Sequence, residues 1–439
     1  MGFTSLDFLD THQHKGVKWI LEHKRTYLAH APGAGKTCQA ITASILAQGK
    51  GQTLFVVPPT LTINWEREIM HWTAFSGAFP TIFIVPKSNK QENADWNADF
   101  IICPDSMISK PWVWERLARK DFKFIGVDEA SRFKECQTLR TIDLFSILKR
   151  SKGYVVLLDG SPMPNRPMEL WAPLIALRPD VIDNMTEHEF GVKFCNGHFK
   201  HDGYKQAWDY RGSSNENELH ARLTKNFMHV VTEDELSHPE RLRSLLFIED
   251  LRTAKQKNFE QKYLKTLNLK DIDEDMSRGE IAKHRQELGL SKVDWVSKYV
   301  GERLENKNES ILLFAWHRDV CAGLATRLKR FKPALVIGNT PDRERENAFT
   351  RFQRNDLKLI IGNIAAMGRG HNLQNADRVV FAEYSWTDET NIQAEKRASR
   401  KGSEKKVVRC DYCVVSNSLD EVVLNTVMNK AKTVKRIIG

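Results

Sequence analysis

Two blocks of short β-branched runs, each alternating with longer helical patterns, limit the architectures open to this chain. In the first 180 residues the runs are TLFVVP from Thr53, TIFIV from Thr81, FIIC from Phe100, FIGVD from Phe124 and YVVLLDG from Tyr154. Such alternation is the pattern of a parallel sheet wrapped by helices. The same grammar returns after about residue 310 in SILLFAW, PALVIG, LKLIIGN, RVVFAE and VVRCDYCVV, separated by polar helical stretches such as PDRERENAFTRFQRND. The predicted fold class is α/β, with one parallel-sheet lobe over residues 1–180 and a second over 301–439. Residues 181–300 are poor in strand runs and rich in charged, helix-favouring sequence, which predicts a helical insertion or bridge.

Length and composition agree with more than one core. A chain of 439 residues with 41% hydrophobic residues is longer than one ordinary domain and buries sizeable cores. Lys and Arg number 66 against 56 Asp and Glu, a formal excess of +10 that suits a polyanionic partner or a generally basic, soluble surface. Seven scattered cysteines lack the density of a disulfide framework and point to a reducing compartment. Cys410 and Cys413 form a C-x-x-C pair inside a strand-like run without a second pair, so they read as structural rather than metal-binding. The beginning MGFTSLDFLD lacks a basic segment followed by an apolar core, and no window is apolar for long enough to cross a bilayer. The expectation is a soluble intracellular protein with no membrane partner, cytoplasmic if its origin is bacterial or viral.

Three clusters carry chemistry. HAPGAGKT places a glycine turn between the apolar stretch YLA and the helical pattern CQAITASILAQG, an arrangement that cradles phosphate. Gly33, Ala34 and Gly35 bring backbone N–H groups to phosphate oxygens, Lys36 reaches the β and γ phosphates, and the Thr37 hydroxyl can ligate Mg²⁺. The strict pattern G-x-x-x-x-G-K-T has glycine where this chain has His30. Downstream, FIGVDEAS ends an apolar strand with two carboxylates. Asp128 is the candidate Mg²⁺ ligand, and Glu129 the candidate base for an attacking water. A lone Asp-Glu pair is a solvated strand end in most proteins, so the phosphate loop upstream gives this one its meaning. In QAEKRASRKG, Arg397 and Arg400 are three residues apart, on one face if the segment is helical. Alone this reads as a basic surface helix; beside a nucleotide site, arginines so placed can stabilise a transferring phosphoryl group.

The order of these pieces resembles the SNF2-like branch of the superfamily 2 helicase-type ATPases over nearly the whole chain. DTHQHKGVKWIL is similar to the family's Q motif, with Gln13 at the adenine-reading position, HAPGAGKT to motif I, VVPPTLTINWEREIMHW to motif Ia, and DEAS to motif II. LLDGSPMPNRPMELWAPLIALRP resembles the motif III region, where Gly160, Ser161 and Pro162 couple the ATP site to the DNA track. ILLFAWHRDV resembles motif IV, NIAAMGRGHNLQNADRVVFAE motif V with Gly368 and Gly370 on its glycines, and WTDETNIQAEKRASRKGS motif VI with Gln393, Arg397 and Arg400 on its functional positions.

The resemblance implies two RecA-like lobes that hydrolyse ATP with Mg²⁺ in the cleft between them, active as a monomer on DNA. Within the family, WDYRGSSNENEL from Trp208, the ELGLSKVDWVSKYV run and FAEYSWTDETNIQAEKRASR are most similar to fork-remodelling or annealing-helicase members. That implies action on branched or forked DNA by fork reversal, branch migration or strand reannealing. Two alternatives stand beside it: a duplex translocase that displaces bound proteins, and a DNA-binding protein with a degenerate ATPase site, prompted by His30 and the altered motif VI. Departures include Ser131, where many relatives have histidine, Ser399 and Ser403, where histidine and glutamine are common, and FMHVVTEDEL around Met228 in place of an arginine-bearing bridging helix. Of Trp112, Trp114, Trp208, Trp316 and Trp386, only Trp386 is expected to contact nucleotide or DNA; the others are expected in cores or the cleft floor.

Overall fold

A computed structural model of the chain describes residues 5–74, 79–88, 95–202, 205–236, 239–250, 252–266, 279–367, 373–385, 388–399, 403 and 405–424. These fall into two compact units that part between Glu235 and Leu236.

The first unit contains β1 (Arg25–His30), β2 (Gln52–Val57), β3 (Ile82–Ile84), β4 (Phe100–Pro104), β5 (Phe122–Asp128), β6 (Tyr154–Asp159), β7 (His198–Asp202), β8 (Lys205–Asp209) and β9 (Met228–Val231). Seven of them form one sheet in the order β3-β4-β2-β5-β6-β1-β9, and every neighbouring pair is parallel. Alternate residues of a strand face opposite layers. Accordingly Val155 and Leu157 join one buried cluster while Val156 and Leu158 join another on the far side. β7 and β8 pair antiparallel as a separate hairpin.

The second unit holds β10 (Glu240–Ile248), β11 (Ile311–Ala315), β12 (Ala334–Val336), β13 (Leu359–Asn363), β14 (Arg378–Phe381) and β15 (Val407–Val415). They form a second all-parallel sheet in the order β10-β15-β14-β11-β13-β12 around one large core. The α/β class with two parallel sheets is therefore as the sequence predicts. Among the described residues, no helix is long and apolar enough to cross a membrane.

Residues 181–300 are divided differently from the predicted helical bridge. β9 adds an edge strand to the first sheet, β10 adds one to the second, and the helices Gly279–Ser291 and Val293–Lys307 contribute Ile281, Leu288, Val296 and Val300 to the second core. Both strands lie at sheet edges, where a weaker apolar pattern suffices. β9 has only four residues, and most of β10 is exposed, so neither shows the apolar run that marks the central strands. FMHVVTEDEL is thus not a helix here, because Met228–Val231 pairs along β1.

Candidate nucleotide-binding site

β1 delivers the chain into residues 31–35 and then into the helix Lys36–Leu46. Gly33 and Gly35 have φ of 91° and 74°, the left-handed region where glycine is least strained. A Cβ at Gly35 would stand 2.3 Å from Nε2 of Gln13, so loop and side chain are packed against each other. The turn leaves the first N–H groups of an 11-residue helix pointing out of the loop, with Lys36 and Thr37 in its first turn. The Lys36 ammonium donates to the His30 carbonyl at 2.8 Å. His30 stands where the strict pattern has glycine, yet it closes β1 in register with Val231 and its ring is buried against His229, with Nε2 and Nδ1 2.8 Å apart.

Gln13 lies in the helix Thr11–His23. Its Oε1 accepts the Asp10 N–H at 2.9 Å, and its Nε2 donates to the Ala34 carbonyl at 3.3 Å. Its amide therefore ties the helix start to the phosphate loop.

Asp128 ends the central strand β5 and is buried, at the carboxyl end of the parallel strands where open α/β sheets place ligand-binding groups. Its Oδ2 accepts the indole N–H of Trp65 at 3.0 Å, and its Oδ1 accepts the backbone N–H of Glu129 at 3.0 Å. Burial, followed by the neighbouring Glu129 charge, pushes the Asp128 carboxyl up to about 7, while Trp65 and Lys36 pull the other way. Glu129 itself sits at φ 51°, ψ 52°, a left-handed conformation uncommon for a residue with a side chain and concentrated at functional turns. The oxygen set of the Thr37 hydroxyl and the Asp128 carboxylate fits a hard divalent cation beside the phosphate loop.

Asp159 ends β6, the strand between β1 and β5, and carries a second buried carboxylate beside that of Asp128. It accepts the N–H of Ser131 at 2.7 Å and of Ser161 at 2.8 Å. Burial, then the Glu129 charge, raises its carboxyl to about 6. The turn after it is pressed onto the phosphate loop: a Cβ at Gly160 would stand 2.8 Å from Cγ of Pro32. Asp159 thus joins the turn carrying Glu129 to the turn carrying Ser161. The exposed Pro59 and Thr60 follow β2.

In the second unit, Gln393 lies in the helix Asp388–Glu395, which ends before Arg397; Arg397 follows in a turn, not on a continuing helical face. Both side chains are buried, and the Arg397 carbonyl accepts the Leu373 N–H at 2.9 Å. Arg400, Gly368, Gly370 and Trp386 lie outside the described residues. Ser399 donates to the Pro239 carbonyl at 2.6 Å. The fully buried Glu395 was not singled out from sequence. It accepts Arg241 at 2.7 Å, two Arg243 nitrogens at 2.8 Å each and the Tyr412 hydroxyl at 2.8 Å. Trp65 and Asp159 were missed as well, and in each case the signal is a polar or indole group inside a motif already recognised. Cys410 and Cys413 are both buried in β15, but their three-residue separation puts them on opposite faces of the strand, so they do not converge on one ion.

Comparison with known proteins matches residues 12–286 to the SNF2-related domain and residues 291–402 to the helicase conserved C-terminal domain. The SWI/SNF-related matrix-associated actin-dependent regulator of chromatin subfamily A-like protein 1 of Xenopus laevis is 29% identical, covering 96% of this chain and 43% of that protein. The DNA annealing helicase and endonuclease ZRANB3 of Homo sapiens is 27% identical, covering 96% of this chain and 39% of that protein. The chain spans about two fifths of the length of these curated relatives. The Sulfolobus solfataricus SWI2/SNF2 ATPase core in complex with dsDNA aligns with 18% identity and a TM-score of 0.46, covering 100% of this chain and 98% of that one.

Proposed function

This chain belongs to the SNF2-related family, and on that premise we propose that it is an ATP-dependent DNA translocase acting on branched DNA. Membership implies nucleotide use; ATP with Mg²⁺ is the finer reading, and the named activity of the annealing-helicase relative is what suggests branched DNA. The observation that carries the reading is the placing of Lys36, Thr37, Asp128 and Glu129 at one end of the first sheet, close enough for the Lys36 charge to act on Asp128.

In this mechanism the N–H groups around Gly35 and the Lys36 ammonium hold the phosphate chain. Thr37 and Asp128 would hold a divalent cation, which would supply charge neutralisation to the phosphate chain. Glu129 takes a proton from water as its oxygen attacks the γ-phosphorus, and the bond to the bridging oxygen breaks to leave ADP and phosphate. The motif resemblance assigns Arg397 and Arg400 to the charge that develops during this transfer. Pro58 to Thr60 and the motif V segment are assigned to the nucleic-acid backbone, gripped without sequence preference.

Steady-state ATPase with no nucleic acid, single strand, plain duplex or forked junction tests the reading, with Glu129→Gln as control. Stimulation by the fork above that by duplex, abolished in the variant, is the expected result. Equal stimulation by plain duplex points to a translocase that clears bound proteins, and no turnover on any substrate overturns the motor.

A further inference from the structure

The hairpin of β7 and β8 belongs to neither sheet, and beside it opens a cavity of about 380 Å³ within the first unit. Its wall includes Trp171, Trp208 and Tyr210 together with Arg166, Lys200 and Arg211. Trp208 is 44% exposed, contrary to the core position expected from sequence, and its neighbour across the hairpin, Phe199, is 53% exposed. The rings of Trp208 and Tyr210 are nearly parallel, 9° apart in plane with centroids 6.2 Å apart. His188 braces this pair: its Nδ1 lies 2.6 Å from the Tyr210 hydroxyl, and its ring stands nearly perpendicular to that of Trp208 with centroids 4.5 Å apart. Leaving large aromatic faces in water is unfavourable unless a ligand covers them.

Charge narrows the ligand. Asp209 is neutralised by a two-point pair with Arg211, both contacts 2.9 Å, whereas Arg166 has no ion-pair partner among the described residues. The remaining carboxylates on the wall, Glu135 and Glu187, are exposed. Cations interleaved with carboxylates oppose the two continuous rows of phosphates on a duplex but tolerate a single phosphate beside a stacked ring. The volume is at the small end of ligand cavities, suited to one nucleotide.

We propose that this cavity receives an unpaired base of a DNA single strand, stacked on the Trp208–Tyr210 face with its phosphate held by Arg166. The inference rests on the DNA reading above and deepens it by naming where the chain distinguishes open from paired DNA. Stacking supplies affinity without base preference, since every base offers a π-face.

Fluorescence anisotropy on the full chain, with an oligothymidylate and a blunt duplex over a range of salt, tests it. Trp208→Ala is expected to weaken single-strand binding about tenfold with little change on duplex, and Trp208→Phe to restore most of the loss. Arg166→Ala is expected to reduce the slope of log affinity against log salt on the single strand by about 0.7, the value for one phosphate contact. Equal losses on both substrates, or none, while the wild type binds DNA, overturn the cavity's role and leave the DNA reading standing. Failure of the wild type to bind either substrate overturns the DNA reading, and this inference with it.

Discussion

Trp65 donates its indole N–H to the carboxylate of Asp128 across 3.0 Å, from the helix Thr62–Ala74 to the end of β5. The indole is buried and tilted against the Phe55 ring, with centroids 4.5 Å apart, so it fixes one carboxylate oxygen and leaves the orientation of the other to the Glu129 N–H. Trp65→Phe keeps the aromatic packing and removes the donor. On the proposed role of Asp128 as a cation ligand, ATPase activity or apparent Mg²⁺ affinity should fall about 10- to 100-fold, as when a hydrogen bond behind a metal ligand is lost. A Mg²⁺ titration of ATPase checks this; an unchanged titration would refute a positioning role.

Asp159→Ala leaves the N–H groups of Ser131 and Ser161 without their acceptor. Each loss should cost about 1–3 kcal/mol, toward the lower value where water can enter. Urea denaturation should show a lower midpoint for the first unit, and ATPase should fall because both turns loosen together. Full stability with full activity would show that the two turns hold themselves.

Glu395→Ala strips a buried acceptor from Arg241, Arg243 and Tyr412. Removing one side of a buried charge cluster costs about 3–5 kcal/mol. The lower end is expected because the Arg243 side chain is 44% exposed and regains water. The measurement is the denaturation midpoint of the second unit, with Glu395→Gln expected to recover part of the loss by retaining one acceptor.

Acid should destabilise the first unit through its histidine pair. Burial, then the charges of His229 and Lys36, holds the His30 imidazole well below its ordinary 6.5, and burial likewise lowers His229. Because the folded values lie below the unfolded one, the unfolded chain binds more protons in the interval between them. The pair's contribution is therefore complete above about pH 6.5 and is lost progressively as pH falls below it. Melting temperature followed from pH 8 to 5 should drop in that window. His229→Asn should flatten the drop, and an unaltered profile would place the acid sensitivity elsewhere.

Central strands and chemical motifs were legible because their signals are local. Continuous apolar runs such as YVVLLDG and LKLIIGN became β6 and β13, and HAPGAGKT became a turn between β1 and a helix. Edge strands were not legible: MHVV is only four residues long and ERLRSLLFI carries charges and exposed positions, so only pairing with β1 and β15 makes sense of them. The exposed aromatic face of Trp208 was equally hidden, since a tryptophan in a strand-like run reads as core until its hairpin is seen to join neither sheet.

By itself, then, the sequence determined the α/β class, the two parallel sheets and the glycine turn between β1 and its helix, since each follows from periodicity and backbone preference within a few residues of chain. Only tertiary structure decided that Trp65 reaches Asp128, that Asp159 joins two turns, and that Glu395 holds Arg241 and Arg243 across more than 150 positions. Such contacts depend on which strands become neighbours. Hydrogen bonds between side chains distant in sequence leave no periodic trace before the sheet order brings them within 3 Å.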